Sequence, residues 1–316
     1  MTKTPGNILV IKLSALGDFI QALGAMKAIH NYHSLDKITL LTTAPYSQMG
    51  RDCGYFHEVV IDKRPGAFNF VEWRRLRKFF NQGMFDRVYD LQKKDRTQLY
   101  FNLFDPKPEW VGIAKGASHR NTNPSHGTGS AFEGHKQTLA LAGIKDVEPD
   151  PLDWMISDIN RFDLPQNYAL FIPGSSARHP EKRWPSGHFA RLADIVIAAN
   201  ITPVIIGTVE EKEISRKIIQ SLESDSGKLI DLTGQTRLYD IAGLARGARY
   251  VIGNDTGPVH IASLTGAFVI ALYNTRASDP EKHKPLGPEV EILAKECMKD
   301  ITAENIWETI TRKKDK

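Results

Sequence analysis

The chain has 316 residues, of which 41% are hydrophobic and 25% charged, and its formal net charge is +4. This length suits two domains, and the composition excludes a disordered or fibrous protein. The two cysteines, Cys53 and Cys297, have no CxxC spacing, which argues against a disulfide framework or a zinc site. Apart from Ile8–Met26, which Lys12 and Asp18 interrupt, no apolar run approaches the ~18 residues that span a bilayer, so we expect a cytoplasmic protein whose contact with a membrane could only be peripheral.

The first half of the chain alternates short β-branched runs with helical patterns, which predicts a parallel sheet. The predicted strands are Ile8–Leu13, Ile38–Thr43, Val59–Asp62, Arg87–Leu91 and Trp110–Ile113. One helix follows the first strand, and another covers Phe70–Gln82. Residues 115–134 have no apolar period and are predicted to form a long loop before a short helix at Lys136–Ala142. A proline-containing connection follows, and we place the domain boundary near residue 160.

The second half repeats this alternation more regularly and predicts a second doubly wound unit. The predicted strands are Tyr168–Ile172, Pro203–Gly207, Leu229–Leu232, Tyr250–Gly253 and Phe268–Tyr273. The predicted helices are Pro185–Ala199, Glu211–Leu222, Leu238–Arg246, Pro258–Thr265 and Thr302–Arg312. The last of these lies beyond the final predicted strand and could pack back on the first domain.

Open α/β sheets bind ligands at the carboxyl ends of their strands, so we look for chemistry at strand-to-helix turns. The first such turn, Lys12–Asp18, is not GxGxxG, which disfavours an NAD-dependent enzyme. Asp18 could simply cap the helix that follows, an effect of typically ~0.5–2 kcal/mol. It could also take a proton from an attacking hydroxyl as a general base. The residues of this turn alone favour capping.

Three turns in the second half could hold a phosphate or a sugar. The turn Asn254–His260 opens a helix, whose first N–H groups and dipole favour an anion, although a capped helix with a tight glycine turn would look the same. Pro173–Ser176 is followed by Lys182 and Arg183, which could supply charge to a phosphate or form a solvated basic loop. In Gly207–Glu211, an acid past a strand end could accept hydrogen bonds from ribose or merely complement a helix dipole.

Positive charge is concentrated between Lys63 and Arg120, where 13 Lys and Arg residues stand against 6 Asp and Glu residues. Such an excess favours an anionic partner. Four of these residues share one predicted helix and could equally form a solvated face: Arg74, Arg75, Arg77 and Lys78. No recognised nucleic-acid module is apparent, so we do not expect nucleic acid as the partner.

Five motifs, in this order and spacing, resemble glycosyltransferase family nine, the ADP-heptose:lipopolysaccharide heptosyltransferases. They are K-x-S-A-L-G-D, P-G-S-S followed by K-R-W-P, G-T-V-E-E, L-T-G-Q-T, and N-D-T-G-P-V-H-I-A-S-L-T-G. The resemblance covers nearly the whole chain. It implies an α/β protein with the GT-B fold, in which two Rossmann-like doubly wound domains face each other across a cleft. Residues 1–160 would bind the acceptor and residues 161–316 the nucleotide sugar.

The resemblance also implies the reaction and its residues. It implies an inverting transfer of heptose from ADP-heptose to an anionic glycolipid acceptor of the lipopolysaccharide inner core, with no cofactor and no metal. Asp18 resembles the catalytic base, and Lys182 the residue that neutralises the donor phosphates. The residues similar to donor-binding positions are Ser175, Ser176, Glu211 at the ribose, Thr236, Asp255, Thr256, Gly257 and His260. A longer loop leaves open which of the two serines corresponds to the family's phosphate contact.

Within the basic stretch, we assign acceptor binding to Lys63, Arg64, Lys93 and Arg120. Lys93 stands where the family usually has a small or apolar residue. Two alternatives stay open on the sequence. The chain could be a GT-B glycosyltransferase that uses a different nucleotide sugar or acceptor, or it could be a non-catalytic nucleotide-binding protein.

Overall fold

The computed structural model describes residues 5–92, 95–123 and 129–314, and the chain divides into two compact units between Asp150 and Pro151. The sequence places this boundary near residue 160. The difference arises because the connecting segment is fastened to the second unit, where the Arg246 guanidinium donates to the backbone oxygens of Leu152 and Met155 at 2.6 and 3.0 Å.

The first unit is one parallel six-stranded sheet with helices. Its strands are β1 (Asn7–Ile11), β2 (Lys37–Thr42), β3 (Glu58–Ile61), β4 (Arg87–Asp90), β5 (Glu109–Gly112) and β6 (His119–Arg120). They lie in the order β3-β2-β1-β4-β5-β6, and every neighbouring pair is parallel. The helices are α1 (Leu16–Tyr32), α2 (Ala44–Asp52), α3 (Phe70–Gln82), α4 (Asp95–Leu103) and α5 (Ala131–Ala140).

The second unit repeats this architecture. Its strands are β7 (Tyr168–Ile172), β8 (Thr202–Ile205), β9 (Ile230–Asp231), β10 (Tyr250–Asn254), β11 (Val269–Asn274) and β12 (Val290–Lys295). They lie in the order β12-β11-β10-β7-β8-β9, again all parallel. The helices are α6 (Ser186–Ala198), α7 (Lys212–Gln220), α8 (Leu238–Gly247), α9 (Gly257–Leu264), α10 (Pro280–His283) and α11 (Ala303–Lys314).

Both sheets have the strand order of a Rossmann fold, so the predicted α/β class with two Rossmann-like domains is confirmed. In each sheet the chain reverses its direction of winding next to the first strand. These switch points lie between β1 and β4 in the first unit and between β7 and β10 in the second. Because ligands of open α/β sheets bind beside the carboxyl ends of the strands at such points, the four turns after these strands are the places to examine.

The central strands are apolar along their whole length. Every residue of β7 is buried, as are the last four residues of β1. Parallel strands covered by helices on both faces require such continuous apolar runs, because neither face meets water. In α3 the buried residues Leu76 and Phe80 are four positions apart and share one face, and Phe80 stacks on Phe104 with ring centroids 4.5 Å apart.

The structure differs from the sequence prediction in three respects. The predicted loop over residues 115–134 contains β6 and the first turn of α5, which Ser130 caps by accepting the Glu133 N–H at 3.2 Å. The strand β12 was not predicted: Val290–Lys295 is a half-buried strand at the sheet edge, and its sequence VEILAK has neither a strict alternation nor a long apolar run. The helices α2, α4 and α10 were not predicted either; α2 and α10 carry proline in their first turn.

The last helix belongs to the second unit, where it packs against α6. Its Ile306 and Ile310 are fully buried in the core of that unit. That it also reaches the first domain stays a prediction. Among the helices that the structure describes, none is both long enough and apolar enough to cross a membrane.

Candidate active site

The turn after β1, which we call the Asp18 turn (Lys12–Asp18), is held by the segment that follows the neighbouring strand β4. The Oε1 atom of Gln92 accepts the backbone N–H groups of Leu13 and Ser14 at 2.8 and 3.1 Å. Gln92 is itself buried, and its own N–H donates to Oδ1 of Asp90 at 3.0 Å. The position of the turn is therefore set by a side chain across the switch point. The sequence analysis assigned no role to Gln92, although its place directly after a predicted strand could have indicated one.

Asp18 caps α1 and also faces other polar groups. Its Oδ2 accepts the backbone N–H of Ala15 at 3.2 Å, and its Oδ1 has no hydrogen-bond partner among the described residues. Burial raises the pKa of Tyr46, the Asp18 charge raises it further, and Arg64 lowers it. Both charges therefore lie near this phenol, which stacks on Phe19. The capping role and an available carboxylate oxygen coexist at Asp18.

The four basic residues predicted to bind an acceptor have different environments. The Arg64 guanidinium donates to Ser14 Oγ in the Asp18 turn at 3.3 Å. Lys63 instead pairs with Glu72 at 2.7 Å, and Arg120 donates to the backbone oxygen of Ile113 at 3.3 Å. Lys93 lies outside the described residues. Of the three that the structure describes, only Arg64 contacts the Asp18 turn.

In the second unit, Asp255 follows β10 and is the centre of a charged group that we call the Asp255 cluster (Lys182, Asp255, His260). Lys182 Nζ lies 2.6 Å from Asp255 Oδ2, and His260 Nε2 lies 3.8 Å from Oδ1. The Asp255 side chain is only 7% exposed. Burial acts to raise the pKa of Asp255, but His260 and Lys182 together hold it well below its usual range. Asp255 is therefore ionised at neutral pH.

Asn254 ties the turn after β10 to the turn after β7. Its Nδ2 donates to the backbone oxygen of Pro173 at 2.8 Å, and its Oδ1 accepts the N–H of Trp184 at 2.9 Å. The side chain is fully buried, where these bonds satisfy both its amide groups. It thereby fixes both ends of the loop that carries Lys182 against the turn that carries Asp255. The sequence analysis included Asn254 in a motif and assigned it no role.

The start of α9 presents backbone N–H groups and a hydroxyl. Gly257 is the first residue of this helix, so its N–H has no acceptor within the helix. Thr256 precedes it in extended backbone, and its Oγ1 is buried without a hydrogen-bond partner among the described residues. An anion placed here would receive these donors and the positive end of the helix dipole.

The two candidate serines differ in their hydrogen bonds. Ser175 Oγ accepts from the Arg183 guanidinium at 3.1 Å and donates to the His179 backbone oxygen at 3.0 Å. The hydroxyl hydrogen of Ser175 is therefore already committed. Ser176 is exposed, and its Oγ accepts the Arg178 N–H at 3.4 Å, which leaves its hydroxyl hydrogen free to donate. Arg183 thus braces this loop, while Lys182 belongs to the Asp255 cluster.

Glu211 lies against the turn after β7. A Cβ atom on Gly174 would stand 1.8 Å from Glu211 Oε1, a distance that no side chain permits. Glu211 Oε2 accepts the N–H of Thr208 at 2.8 Å, and a Cβ on Gly207 would meet the same oxygen at 3.0 Å and Thr233 at 3.4 Å. Gly174 and Gly207 therefore make room for the Glu211 carboxylate beside Thr233. The sequence analysis assigned no role to Thr233.

The structure thus brings the predicted donor residues of the second unit to neighbouring turns. Lys182, Asp255 and His260 form one cluster, while Glu211 contacts the turn that also carries Ser175. Thr236 lies half-buried in the connection before α8. Across residues 5–92, 95–123 and 129–314, no three His, Cys, Asp or Glu side chains are grouped to hold a metal ion. A metal-independent reaction stays a prediction.

Comparison with known proteins gives one family and several relatives. The family model of glycosyltransferase family 9 (heptosyltransferase) matches residues 144–310. The chain is 27% identical to lipopolysaccharide heptosyltransferase 2 of Escherichia coli over 248 residues, which is 72% of this chain and 70% of that protein. It is 30% identical to lipooligosaccharide heptosyltransferase 2 of Haemophilus influenzae over 124 residues, 39% of this chain and only 35% of the relative.

A solved structure extends the likeness of fold to the whole chain. The structure of the E. coli ADP-heptose lipopolysaccharide heptosyltransferase II superposes with a TM-score of 0.76 and 21% identity. The superposition covers 98% of this chain and 100% of that one.

Proposed function

The chain belongs to glycosyltransferase family 9, and we propose that it is an inverting heptosyltransferase, which transfers heptose from ADP-heptose to an anionic sugar of the lipopolysaccharide inner core. It is a glycosyltransferase with the GT-B fold. The observation that carries the proposal is the ion pair of Lys182 and Asp255, which stands at the switch point of the second sheet beside the start of α9. The donor is proposed from the relatives, since the similar E. coli structure is that of an ADP-heptose lipopolysaccharide heptosyltransferase.

In this proposal the diphosphate of the donor lies at the start of α9. The N–H of Gly257 and the hydroxyl of Thr256 donate to it, and the Lys182 ammonium neutralises its charge. Ser176 is the serine that we assign to the phosphates, because the Ser175 hydroxyl already donates its hydrogen to the His179 backbone oxygen. Charge-assisted hydrogen bonds of this kind are roughly twice as strong as neutral ones.

The carboxylate of Glu211 is assigned to the ribose. It is fixed by Thr208 on one oxygen and lies directly over Gly174, so its second oxygen is presented at the turn after β7. Two ribose hydroxyls are good donors to such a carboxylate. Thr236 and His260 complete the donor residues that we propose.

The chemical step is a single displacement. An acceptor hydroxyl oxygen forms a bond to the anomeric carbon, and its proton passes to Oδ1 of Asp18. The bond between the anomeric carbon and the diphosphate oxygen breaks, and its electron pair leaves on the diphosphate, which Lys182 stabilises. Attack opposite to the leaving group inverts the anomeric centre. General-base help is typically worth ~10²–10⁴-fold in rate, and one donor to a developing oxyanion is worth ~3–4 kcal/mol.

The acceptor is assigned to the first unit. Arg64 contacts the Asp18 turn and can hold an acidic group of the acceptor near the base. Lys63 and Arg120 add positive charge, and Lys93 keeps the role that the sequence predicts for it. No cofactor or metal is needed for these steps. We propose a cytoplasmic protein that meets its glycolipid acceptor at the membrane surface.

A donor screen followed by product analysis tests this function. Thermal unfolding with ADP, UDP and GDP ranks the nucleotides, since a ligand at 100 times its Kd adds ~2.7 kcal/mol of stability. We expect ADP to stabilise most. Incubation with ADP-heptose and a truncated lipopolysaccharide should then release ADP and add the mass of one heptose, with the opposite anomeric configuration. Stronger stabilisation by UDP or GDP would contradict the donor, and retained configuration would contradict the mechanism.

A further inference from the structure

The start of α3 exposes three large apolar side chains, which we call the apolar tip (Phe68, Phe70, Val71). They are 89%, 74% and 78% exposed. The other face of the same helix buries Leu76 and Phe80 in the core of the first unit. Single exposed apolar residues are common, but three within four positions form a contiguous patch, which usually marks a binding surface.

The apolar tip is held outward by hydrogen bonds. The Trp73 indole N–H donates to the Gly66 backbone oxygen at 3.0 Å, and Asn69 accepts the Glu72 N–H at 3.2 Å. These bonds close the turn before α3 and start the helix at Phe70. These bonds fix the backbone that carries the apolar tip.

A line of positive charge continues from the apolar tip along the exposed side of α3. We call it the basic flank, and its four exposed residues are Arg74, Arg75, Arg77 and Lys78. The one acidic residue of α3, Glu72, is paired with Lys63 at 2.7 Å and with Arg75 at 3.4 Å. Hydrogen bonding from Lys63 holds the pKa of Glu72 below its usual range. The surface is thus apolar at one end and strongly cationic over the rest.

We propose that the apolar tip and the basic flank dock on a bilayer that contains anionic lipids. The aromatic side chains would enter the boundary between headgroups and acyl chains, while the arginines and the lysine bind lipid phosphates. Phenylalanine beside exposed Lys and Arg is the combination that anchors interfacial helices. Each basic residue near an anionic surface adds attraction, and such attraction weakens with salt because the charges are exposed.

This surface continues into the Asp18 turn. The segment between β3 and α3 carries Arg64, whose guanidinium reaches Ser14 Oγ at 3.3 Å. The next residue, Pro65, accepts from the Arg96 guanidinium at 3.1 Å, which fixes the segment against α4. A bilayer bound at the apolar tip would therefore lie beside the turn that carries Asp18. This last step rests on the proposed function, because it explains how a lipid-linked acceptor meets the base; lipid binding itself does not depend on it.

Co-sedimentation with vesicles, without nucleotide or acceptor, tests the proposal. The full chain should sediment with vesicles of phosphatidylglycerol and phosphatidylethanolamine, sediment poorly with pure phosphatidylcholine, and dissociate as NaCl is raised. The double variant Phe68→Ser/Phe70→Ser should bind the anionic vesicles at least roughly tenfold more weakly, because it no longer buries two aromatic side chains in the bilayer. Both positions are exposed, so the variant should fold.

A matched control is Leu35→Ser, which removes an apolar side chain that is 76% exposed at the amino edge of the same sheet. It should bind vesicles like the wild type. The proposal is overturned if the wild type does not sediment with anionic vesicles, or if Phe68→Ser/Phe70→Ser binds as tightly as Leu35→Ser. Transfer to a delipidated soluble acceptor should survive in the Phe68→Ser/Phe70→Ser variant while transfer to a vesicle-embedded acceptor falls. A failure of the proposed function would instead abolish both reactions in the wild type.

Discussion

The ammonium of Lys182 and the carboxylate of Asp255 are 2.6 Å apart, although 73 residues separate them in the chain. The pair joins the loop after β7 to the turn after β10 at the switch point of the second sheet. An ammonium has three donor hydrogens, so one bond to Asp255 orients Lys182 and leaves two hydrogens for a phosphate. We infer that the cation is positioned before the nucleotide binds.

Replacement of the cation should weaken nucleotide binding. In Lys182→Ala the proposed diphosphate position loses its positive charge, and we expect the Kd for ADP to rise about tenfold or more, as a charged hydrogen bond of ~1.5–3 kcal/mol is lost. Isothermal titration calorimetry measures this. Lys299→Ala, at an exposed lysine of the same unit, should leave the Kd unchanged. Equal affinity in the two variants would remove Lys182 from the donor site.

Removal of the negative charge at Asp255 should destabilise the second unit in a pH-dependent way. Asp255→Asn leaves the mostly buried Lys182 ammonium without its counter-charge, which typically costs about 3 kcal/mol at pH 7. Because the pKa of Asp255 is depressed in the folded protein, its ionised form contributes stability that is fully present above the unfolded pKa of about 4. That contribution is lost as the pH falls from about 4 toward the lower pKa that Asp255 has in the folded protein.

Urea unfolding at several pH values measures this effect. The difference between wild type and Asp255→Asn should be largest near pH 7 and should shrink below about pH 4. Asp300→Asn, at an exposed position, is the control and should unfold like the wild type at every pH. A difference that grows with acidity would contradict the assignment of the charge to Asp255.

A methyl group at Gly174 should displace the Glu211 carboxylate. The Cβ of Gly174→Ala would stand 1.8 Å from Glu211 Oε1, so the carboxylate must leave its position. We expect weaker binding of ADP and a lower midpoint of thermal unfolding. Gly187→Ala is the control, because no atom lies within 4 Å of its added Cβ. The double variant Gly174→Ala/Glu211→Ala should recover stability relative to Gly174→Ala, and a failure to recover would mean that the clash lies elsewhere.

Asp18→Asn separates the two roles of this residue. The amide oxygen can still accept the Ala15 N–H and cap α1, but it cannot take a proton. We expect kcat to fall by about 10²–10⁴-fold while the melting temperature and the Kd for ADP stay near the wild-type values. A variant that kept most of its activity would show that Asp18 only caps the helix.

Gln92→Leu tests whether the Asp18 turn is positioned from β4. The change leaves the Leu13 and Ser14 N–H groups without their acceptor. Each unsatisfied buried group typically lowers the free energy of unfolding by about 1–3 kcal/mol. We expect kcat to fall and the Kd for ADP to stay constant, because the donor residues are in the other unit. Gln98→Leu loses two exposed hydrogen bonds, one from the Lys115 N–H and one to Asn102, and should keep its kcat. A loss in ADP affinity instead of kcat would contradict a positioning role.

The sequence by itself determined much of the architecture. Alternating apolar runs and helical patterns predicted the α/β class, and the bounds of α3 and β7 agree with the structure to the residue. Such patterns are reliable because burial on both faces of a parallel strand, and on one face of a helix, leaves a local signal in the residues themselves. The motifs also indicated which turns carry Asp18, Lys182 and Asp255.

Only the tertiary structure decided how those turns are held and which residues share them. That Gln92 supports the Asp18 turn, that Lys182 pairs with Asp255, and that Gly174 makes room for Glu211 depend on residues brought together from the ends of different strands. Which turns become neighbours depends on the order of the strands in the sheet. The sequence of a single segment cannot predict this order, because parallel strands pair through contacts between residues far apart in the chain.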